Sequence, residues 1–325
     1  MAQRQSPQSI EVDEPFDGLN TRPHAMLVGT GQASAHHGEL LQGVFQGDDG
    51  RLHRGLVTLP FASLKAVATF WPRQHPGIQT RPTSRTKAAR AAELTLEHLG
   101  ATGGGGDLTI ESAIPIGHGY GSSTADVIAT IRAVAAAAGV TLHHSTVARL
   151  AVAAEGASDA IGYGEWALLF AHREGHIIEH FGGEFPPLAV VGFRDSKDPP
   201  IDTLGFPRAR YDSEEIETFR VLRGLACRAI RQQDPRLLGD VATVSARISQ
   251  RHLRKPRFDA VRQMAEDHGA CGVQVAHSGT LIGILWDADA PNTARQAAAL
   301  SKKIRNAGFG EIVTFALGVD GAPGK

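Results

Sequence analysis

The sequence predicts an α+β protein built in two parts. Three observations predict it. Short apolar runs broken by Gly, Asp and Pro fill the first part of the chain. An alanine-rich helix, apolar on nearly every face, follows a stretch dense in glycine. The second half sets helices beside a few short strands. At 325 residues the chain is long for one core, so two domains or one large composite domain are expected.

The elements follow in order. "AMLVGT", "GELLQGVFQ", "GLVTLP" and "SLKAVATFW" are expected as strands joined by tight turns. A helix over Ser84 to Leu99 ends at Gly100, and "ATGGGG" is a loop. "DLTIES" alternates apolar and polar, as a half-buried strand does. "TADVIATIRAVAAAAG" carries Val127, Ile128, Ile131 and Val134 at helical spacing and stops at Gly139. A second helix spans Ser145 to Glu155, and strands follow in "EWALLFA", "HIIEHF" and "LAVVGFR".

Around Pro186 and Pro187 the character changes, which sets the boundary between residues 23–185 and 186–325. "SKDPPIDTLGFPRARYD" is a loop. Three helices are expected next, over Ser213 to Gln232, Pro235 to Gln250 and Arg257 to His268. Asp234 before Pro235 is a start signal, a capping carboxylate with proline at the first helical position. "CGVQVAHSGTLIGILWD" gives two strands about a tight His277-Ser278-Gly279 turn. A helix over Pro291 to Arg305 and a strand "EIVTFALG" complete the pattern.

The formal charge is −1, from 33 basic and 34 acidic residues. That balance gives no general pull toward nucleic acid or a membrane surface. No apolar run approaches the ~20 residues of a membrane span. Residues 1–22 are polar, lack an apolar signal core and read as a disordered tail, so a cytoplasmic protein is expected. Cys227 and Cys271 have no metal-ligand or CxxC spacing and are expected as reduced thiols.

The chemistry concentrates in "PIGHGYGSSTAD", Pro115 to Asp126. A strand, a glycine turn, Ser-Ser-Thr and a buried helix follow one another. The N–H groups at such a helix start lack partners and favour an anion. The stretch is not a Walker A loop, because the only Gly-Lys pair is Gly324-Lys325. It also lacks the G-x-G-x-x-G spacing of a dinucleotide fold. By chemistry alone it is either a phosphate cradle or a glycine-rich helix entry.

The stretch resembles the P-x-x-x-G-[LMY]-[GA]-S-S-[TA]-A motif of the GHMP kinases, and more closely that of their L-threonine kinase branch. "HHGELLQG" (His36 to Gly43) is similar to the branch's C-G-E-L-x-Q-G motif. "LLGDVATVSARISQRHLRKPRFDAV" is similar to its helical A-x-x-S-A segment with a K-P-x-F ending. "VQVAHSGTLIGILWD" is similar to its A-H-S-G-[ST]-x-x-G motif. The four motifs occur in the same order from Ala25 to Asp287.

The resemblance implies a GHMP kinase fold. It comprises an ATP-binding N-terminal domain like the second domain of ribosomal protein S5 and a ferredoxin-like C-terminal domain, with the active site between them. It implies ATP and Mg²⁺ as cofactors. Pro115, Gly117, His118, Gly119, Tyr120, Gly121, Ser122, Ser123 and Thr124 correspond to the phosphate loop. Ser123 and Glu155 correspond to Mg²⁺ ligands. Asp159 corresponds to the aspartate that meets the acceptor hydroxyl, as base or as orienting group. The branch reads E-P-T-D-S here, whereas this chain reads Glu155-Gly-Ala-Ser-Asp159, one position longer. Glu39, His37, His277, Ser278 and Gly279 correspond to the acceptor region.

The expected activity is ATP-dependent phosphorylation of an amino-acid side-chain hydroxyl, with L-threonine the first choice. Serine, homoserine or a non-proteinogenic hydroxy amino acid is the alternative acceptor, because His36-His37 stands where the branch has Ser-Cys. A non-catalytic sensor of ATP and a metabolite is the alternative from another class. The partner is then a small molecule, with no nucleic acid or membrane, and the protein a monomer or homodimer.

Overall fold

The computed structural model describes residues 26–101, 103–195 and 209–318. The expected tail and most of the loop after Asp195 lie outside the described residues. The chain opens with two long strands, β1 (Gly29–Gln46) and β2 (Leu52–Arg73), then β3 (Gly77–Arg81), α1 (Thr86–His98) and β4 (Gly105–Ser112). The helices α2 (Ser122–Ala137) and α3 (His144–Glu155) lead through a 3-10 turn at Ala160–Tyr163 into β5 (Leu168–Ala171), β6 (His176–His180) and β7 (Leu188–Asp195). Then come α4 (Ser213–Arg231), α5 (Pro235–Ser249), α6 (Phe258–Asp267), β8 (Gly272–Val275), β9 (Leu281–Asp287), α7 (Thr293–Asn306) and β10 (Phe309–Leu317).

Two expectations need correction. The four apolar runs before α1, expected as strands joined by tight turns, merge into β1 and β2. The breakers within them are absorbed by register shifts at Ser34/Ala35, His36/Glu39 and Glu39/Leu41. A β-bulge lets a strand carry Pro60 or Gly38 and continue beyond it. β3 was not expected; it is a short parallel edge on β4.

The buried helix is where the pattern placed it. Thirteen of the sixteen residues of α2 are buried, so it has no solvent face. It lies between β1–β2 and the helices α1 and α3. The starts of α4 and α5 carry their caps. Asp212 and Glu215 form a reciprocal capping box, and Asp234 accepts from the N–H groups of Arg236 and Leu237.

The strands run β10-β7-β9-β8-β1-β2-β4-β3, with β5 on β2 and β6 on β5. The expected boundary at 185/186 falls between β6 and β7, yet the sheet crosses from one half to the other. Among the described residues β1 and β8 pair at Glu39 and Val275. That junction fixes where the halves meet. One core lies under α2. A second joins β1 and β2 to α4 and α5. A third lies beneath α6 and α7. Among the described residues no helix is long and apolar enough to cross a membrane.

Candidate active site

The site begins on β1. His36 and His37 are consecutive strand residues, so they face opposite sides. His37 turns into the core, among the rings of Phe61, Tyr120 and Phe315. The Gln274 amide meets its Nδ1 at 2.7 Å, and burial pushes its pKa down to about 3. His37 therefore does not line an acceptor pocket as expected; it is a neutral core residue.

His36 takes the other face. On a regular strand Glu39, three residues on, would point away from it. Gly38 has φ +66°, a left-handed conformation suited to glycine, and it opens the bulge that swings Glu39 back toward His36. His36 Nδ1 and Glu39 Oε1 stand 3.6 Å apart. Glu39 is fully occupied. Its Oε2 accepts from the His277 backbone N–H at 2.6 Å, and its Oε1 lies 2.9 Å from His277 Nδ1. Burial opposes a charge on His277, but the Glu39 and Asp159 carboxylates together outweigh it and raise the pKa above its usual value. At 22 % side-chain exposure, His277 is more open than Glu39, His36 or Asp159.

α2 and α3 supply the oxygen donors. Ser123 Oγ donates to Glu155 Oε2 at 2.8 Å, and Thr124 Oγ1 donates to Glu155 Oε1 at 2.9 Å. Burial pushes Glu155 up to about 7, with the two hydroxyls partly offsetting the rise. A hard divalent cation such as Mg²⁺ takes carboxylate and hydroxyl oxygens. This donor set fits one, and the cation's charge would hold Glu155 ionised.

α3 ends at Gly156 in a left-handed turn, which carries the chain to Asp159. Asp159 Oδ2 is 2.9 Å from His36 Nε2 and 3.4 Å from Thr124 Oγ1. Burial would raise the Asp159 pKa; the His36 cation beside it instead holds the carboxyl far below its usual range. Both ring nitrogens of His36 are occupied by protein acceptors, so the His36, Glu39 and Asp159 group is an ion-pair network.

The glycine loop packs on both sides of this network. Gly121 caps α2 at φ +70°, and no side chain caps the helix. The first-turn N–H groups of α2 are thus available to an anion. A Cβ on Gly121 would collide with the His36 ring, so this glycine makes room for His36 as well as for any ligand. Tyr120 points inward and anchors the loop among Phe61 and His37. The His118 carbonyl accepts from Thr280 N–H at 2.9 Å and Leu281 N–H at 3.2 Å. Gly119 and Gly279 lie against each other, which docks the loop on the Ala276–Thr280 turn. Pro115 and Ser278 are half-buried at the margins.

The structure thus gathers Ser123, Thr124, Glu155, Asp159, Glu39, His277 and Gly279 around the start of α2, and sends His37 and Tyr120 into the core. Three neighbours were not among the expected site residues. The sequence offers either His36 or His37 to the acceptor pocket, and the structure turns His36 toward it. His172, buried with its pKa pushed down to about 3, has its ring 5.6 Å from that of His277. Lys255 donates to the Gly279 carbonyl at 2.7 Å and so braces the turn. The "HHGE" stretch held the signal for His36, but alternation alone does not say which histidine faces in. Nothing in the sequence marks His172.

Comparison with known proteins places the chain as a whole. The family model for the GHMP kinases N terminal domain matches residues 86–164, and that for the GHMP kinases C terminal matches 226–303. The chain is 30% identical to an L-threonine kinase of Salmonella typhimurium over 294 residues, which covers 85% of this chain and 89% of the relative. It is 30% identical to an L-threonine kinase of Citrobacter freundii over 263 residues, 79% of this chain and 85% of the relative. A homoserine kinase structure from Cytophaga hutchinsonii superposes with a TM-score of 0.64 at 15% identity, covering 94% of this chain and 98% of that one.

Proposed function

This chain belongs to the GHMP kinase family, and from that premise we propose that it transfers the γ-phosphoryl group of ATP to the side-chain hydroxyl of L-threonine. As a member of that family it is a phosphotransferase with a small-molecule hydroxyl as acceptor. The observation that carries threonine is the 30% identity to two L-threonine kinases over most of the chain. The site supports the reading with a place for each requirement of phosphoryl transfer.

The start of α2 would hold the phosphates through backbone N–H groups, with Ser122 and Ser123 at hand. Ser123 and Glu155, joined by Thr124, would hold Mg²⁺, which when bound spreads the charge of the phosphate oxygens. Asp159 accepts a hydrogen bond from the acceptor hydroxyl and aims its oxygen at phosphorus. A carboxylate of such low basicity orients more than it abstracts. Glu39 fixes the His277 ring through Nδ1, and the Nε2 of that half-open ring would meet the acceptor's carboxylate. Glu39 serves the acceptor through His277, since both of its oxygens are already engaged.

One observation favours a second reading within the same chemistry. His36 stands beside Asp159, and the Asp159 turn is one residue longer than the threonine kinase pattern. Contacts this close to the acceptor decide substrate choice. A different hydroxy amino acid is therefore the alternative. The test is ATP turnover against a panel of L-threonine, L-serine, L-homoserine and β-hydroxylated non-proteinogenic amino acids, with ³¹P NMR of the products. A new phosphomonoester with L-threonine is expected. A product only with another acceptor overturns threonine and keeps the kinase. Tight ATP binding without any product would replace both readings with the sensor.

A further inference from the structure

We propose that His36 is a positioning residue, a ring that donates from both nitrogens and locks the Asp159 carboxylate in register with the glycine loop. The inference rests on the kinase reading for its consequence, but its geometry stands alone. His36 is buried, and its two nitrogens face only acceptors: Asp159 Oδ2 at 2.9 Å from Nε2, and the Gly38 carbonyl at 3.4 Å from Nδ1. Glu39 Oε1 lies further out on the Nδ1 side. A neutral imidazole carries one N–H and would turn a lone pair toward one of these oxygens. The doubly protonated ring satisfies both.

The ring also occupies the notch left by the missing side chain of Gly121. It therefore touches the acceptor-side acid and the last residue of the loop at once. That contact couples two parts whose alignment phosphoryl transfer needs, the aspartate that aims the hydroxyl and the helix start that holds the phosphate. Gly38 completes the device, because its bulge directs Glu39 to the open side of the same ring.

The charged groups around the pair come from every neighbouring element. Glu39 faces it from β1, and His277 from the turn after β8. His172 faces it from the end of β5, and Glu155 from the end of α3. Two of these neighbours are carboxylates, Glu39 and Glu155, and His172 is held neutral. Burial opposes the charge on His36, but Asp159, Glu39 and the Gly38 carbonyl together outweigh it and lift the pKa from 6.5 to about 9.

The first test is ¹⁵N NMR of the histidine rings in the wild-type protein, with the His36 signals identified by their response to Asp159→Asn. Both ring nitrogens of His36 are expected to remain protonated at pH 7.5. A neutral tautomer at that pH overturns the proposal. The second test is kinetic, with whichever acceptor the panel identifies. His36→Gln is expected to lower kcat by about tenfold to a hundredfold, as misalignment does, and to leave KM for ATP within about threefold. It should also steepen the fall in kcat/KM below about pH 5 relative to the wild type, because Asp159 regains basicity without its cation. The double variant His36→Gln/Asp159→Asn should be no slower than the worse single variant. Unchanged kcat and pH profile in a folded His36→Gln protein, or a loss confined to KM for ATP, overturns the proposal. If that variant does not fold, the wild-type spectrum decides alone. Absence of turnover with every acceptor tells against the kinase reading and leaves the charge state of His36 to the spectrum.

Discussion

At the scale of single residues, the site is a set of buried polar groups that complete one another. Ser123 and Thr124 each give a hydroxyl hydrogen to Glu155; in the proposed reaction those oxygens would turn to a cation. Ser123→Ala removes one hydroxyl and leaves the carboxylate. A hydrogen bond or ligand contact to a charged group is worth about 1.5–3 kcal/mol. The variant is therefore expected to lose roughly tenfold to a hundredfold in rate at limiting Mg²⁺ and to recover in part at saturating Mg²⁺. A Mg²⁺ titration of the initial rate checks this, and identical titration curves for variant and wild type would remove Ser123 from the ligand set. The sequence marked Ser123, Glu155 and Asp159 by their places in motifs. It gave no means to choose His36 over His37, because a strand alternates and the bulge at Gly38 decides which residues share a face.

At the scale of elements, the glycine loop is a joint between pieces of protein as much as an anion site. Gly121 combines φ +70° with a neighbour, His36, that leaves no room for a methyl group. Gly121→Ala pays twice, through about 1–2 kcal/mol for a left-handed alanine and through displacement of the His36 ring. We expect a measurable drop in Tm and a loss of kcat larger than that of Ser123→Ala. Thermal melts and steady-state kinetics on one preparation check both, and a fully active Gly121→Ala enzyme would show that the ring is free to move. The loop's other face is held by Thr280 and Leu281 donating to His118, so the second half of the chain clamps the loop that the first half builds. The helices and the glycine entry were legible because their periodicity and caps are local. The length of β1 and β2 was not, because Gly38 and Pro60 look like breaks until a partner strand absorbs them as bulges.

At the scale of the whole molecule, the buried histidines set how stability depends on pH. His37 and His172 are held neutral by burial, with pKa values lowered from 6.5 to about 3. The unfolded chain binds more protons there, so they add stability as pH rises from about 3 to 6.5. Asp159, depressed below its usual value, acts in the same sense: its contribution is present above pH 3.8 and is lost as pH falls below that. His36 acts oppositely. Its raised pKa gives stability that is complete below 6.5 and is lost as pH climbs to about 9. Glu155, raised from 4.5 to about 7, and Asp126, raised from 3.8 to about 6, also lose stability with rising pH and offset the two histidines below pH 6. Tm is therefore expected to change little between pH 4.5 and 6.5 and to fall from there toward pH 9. A Tm series over that range checks it, and a Tm still rising between pH 7 and 9 would contradict the His36 assignment.

The sequence by itself determined the α+β class, the buried helix behind the glycine loop, the helix start at Asp234, and the family to which the motifs point. These rest on local periodicity, caps and short patterns, which few residues suffice to encode. Only the tertiary structure decided that Glu39 serves His277, that His36 pairs with Asp159 across 123 residues, that His37 belongs to the core, and that the sheet joins its halves at Glu39 and Val275. Those outcomes depend on which faces of distant elements meet. A bulge of one glycine is enough to reverse a face, and no local pattern records it.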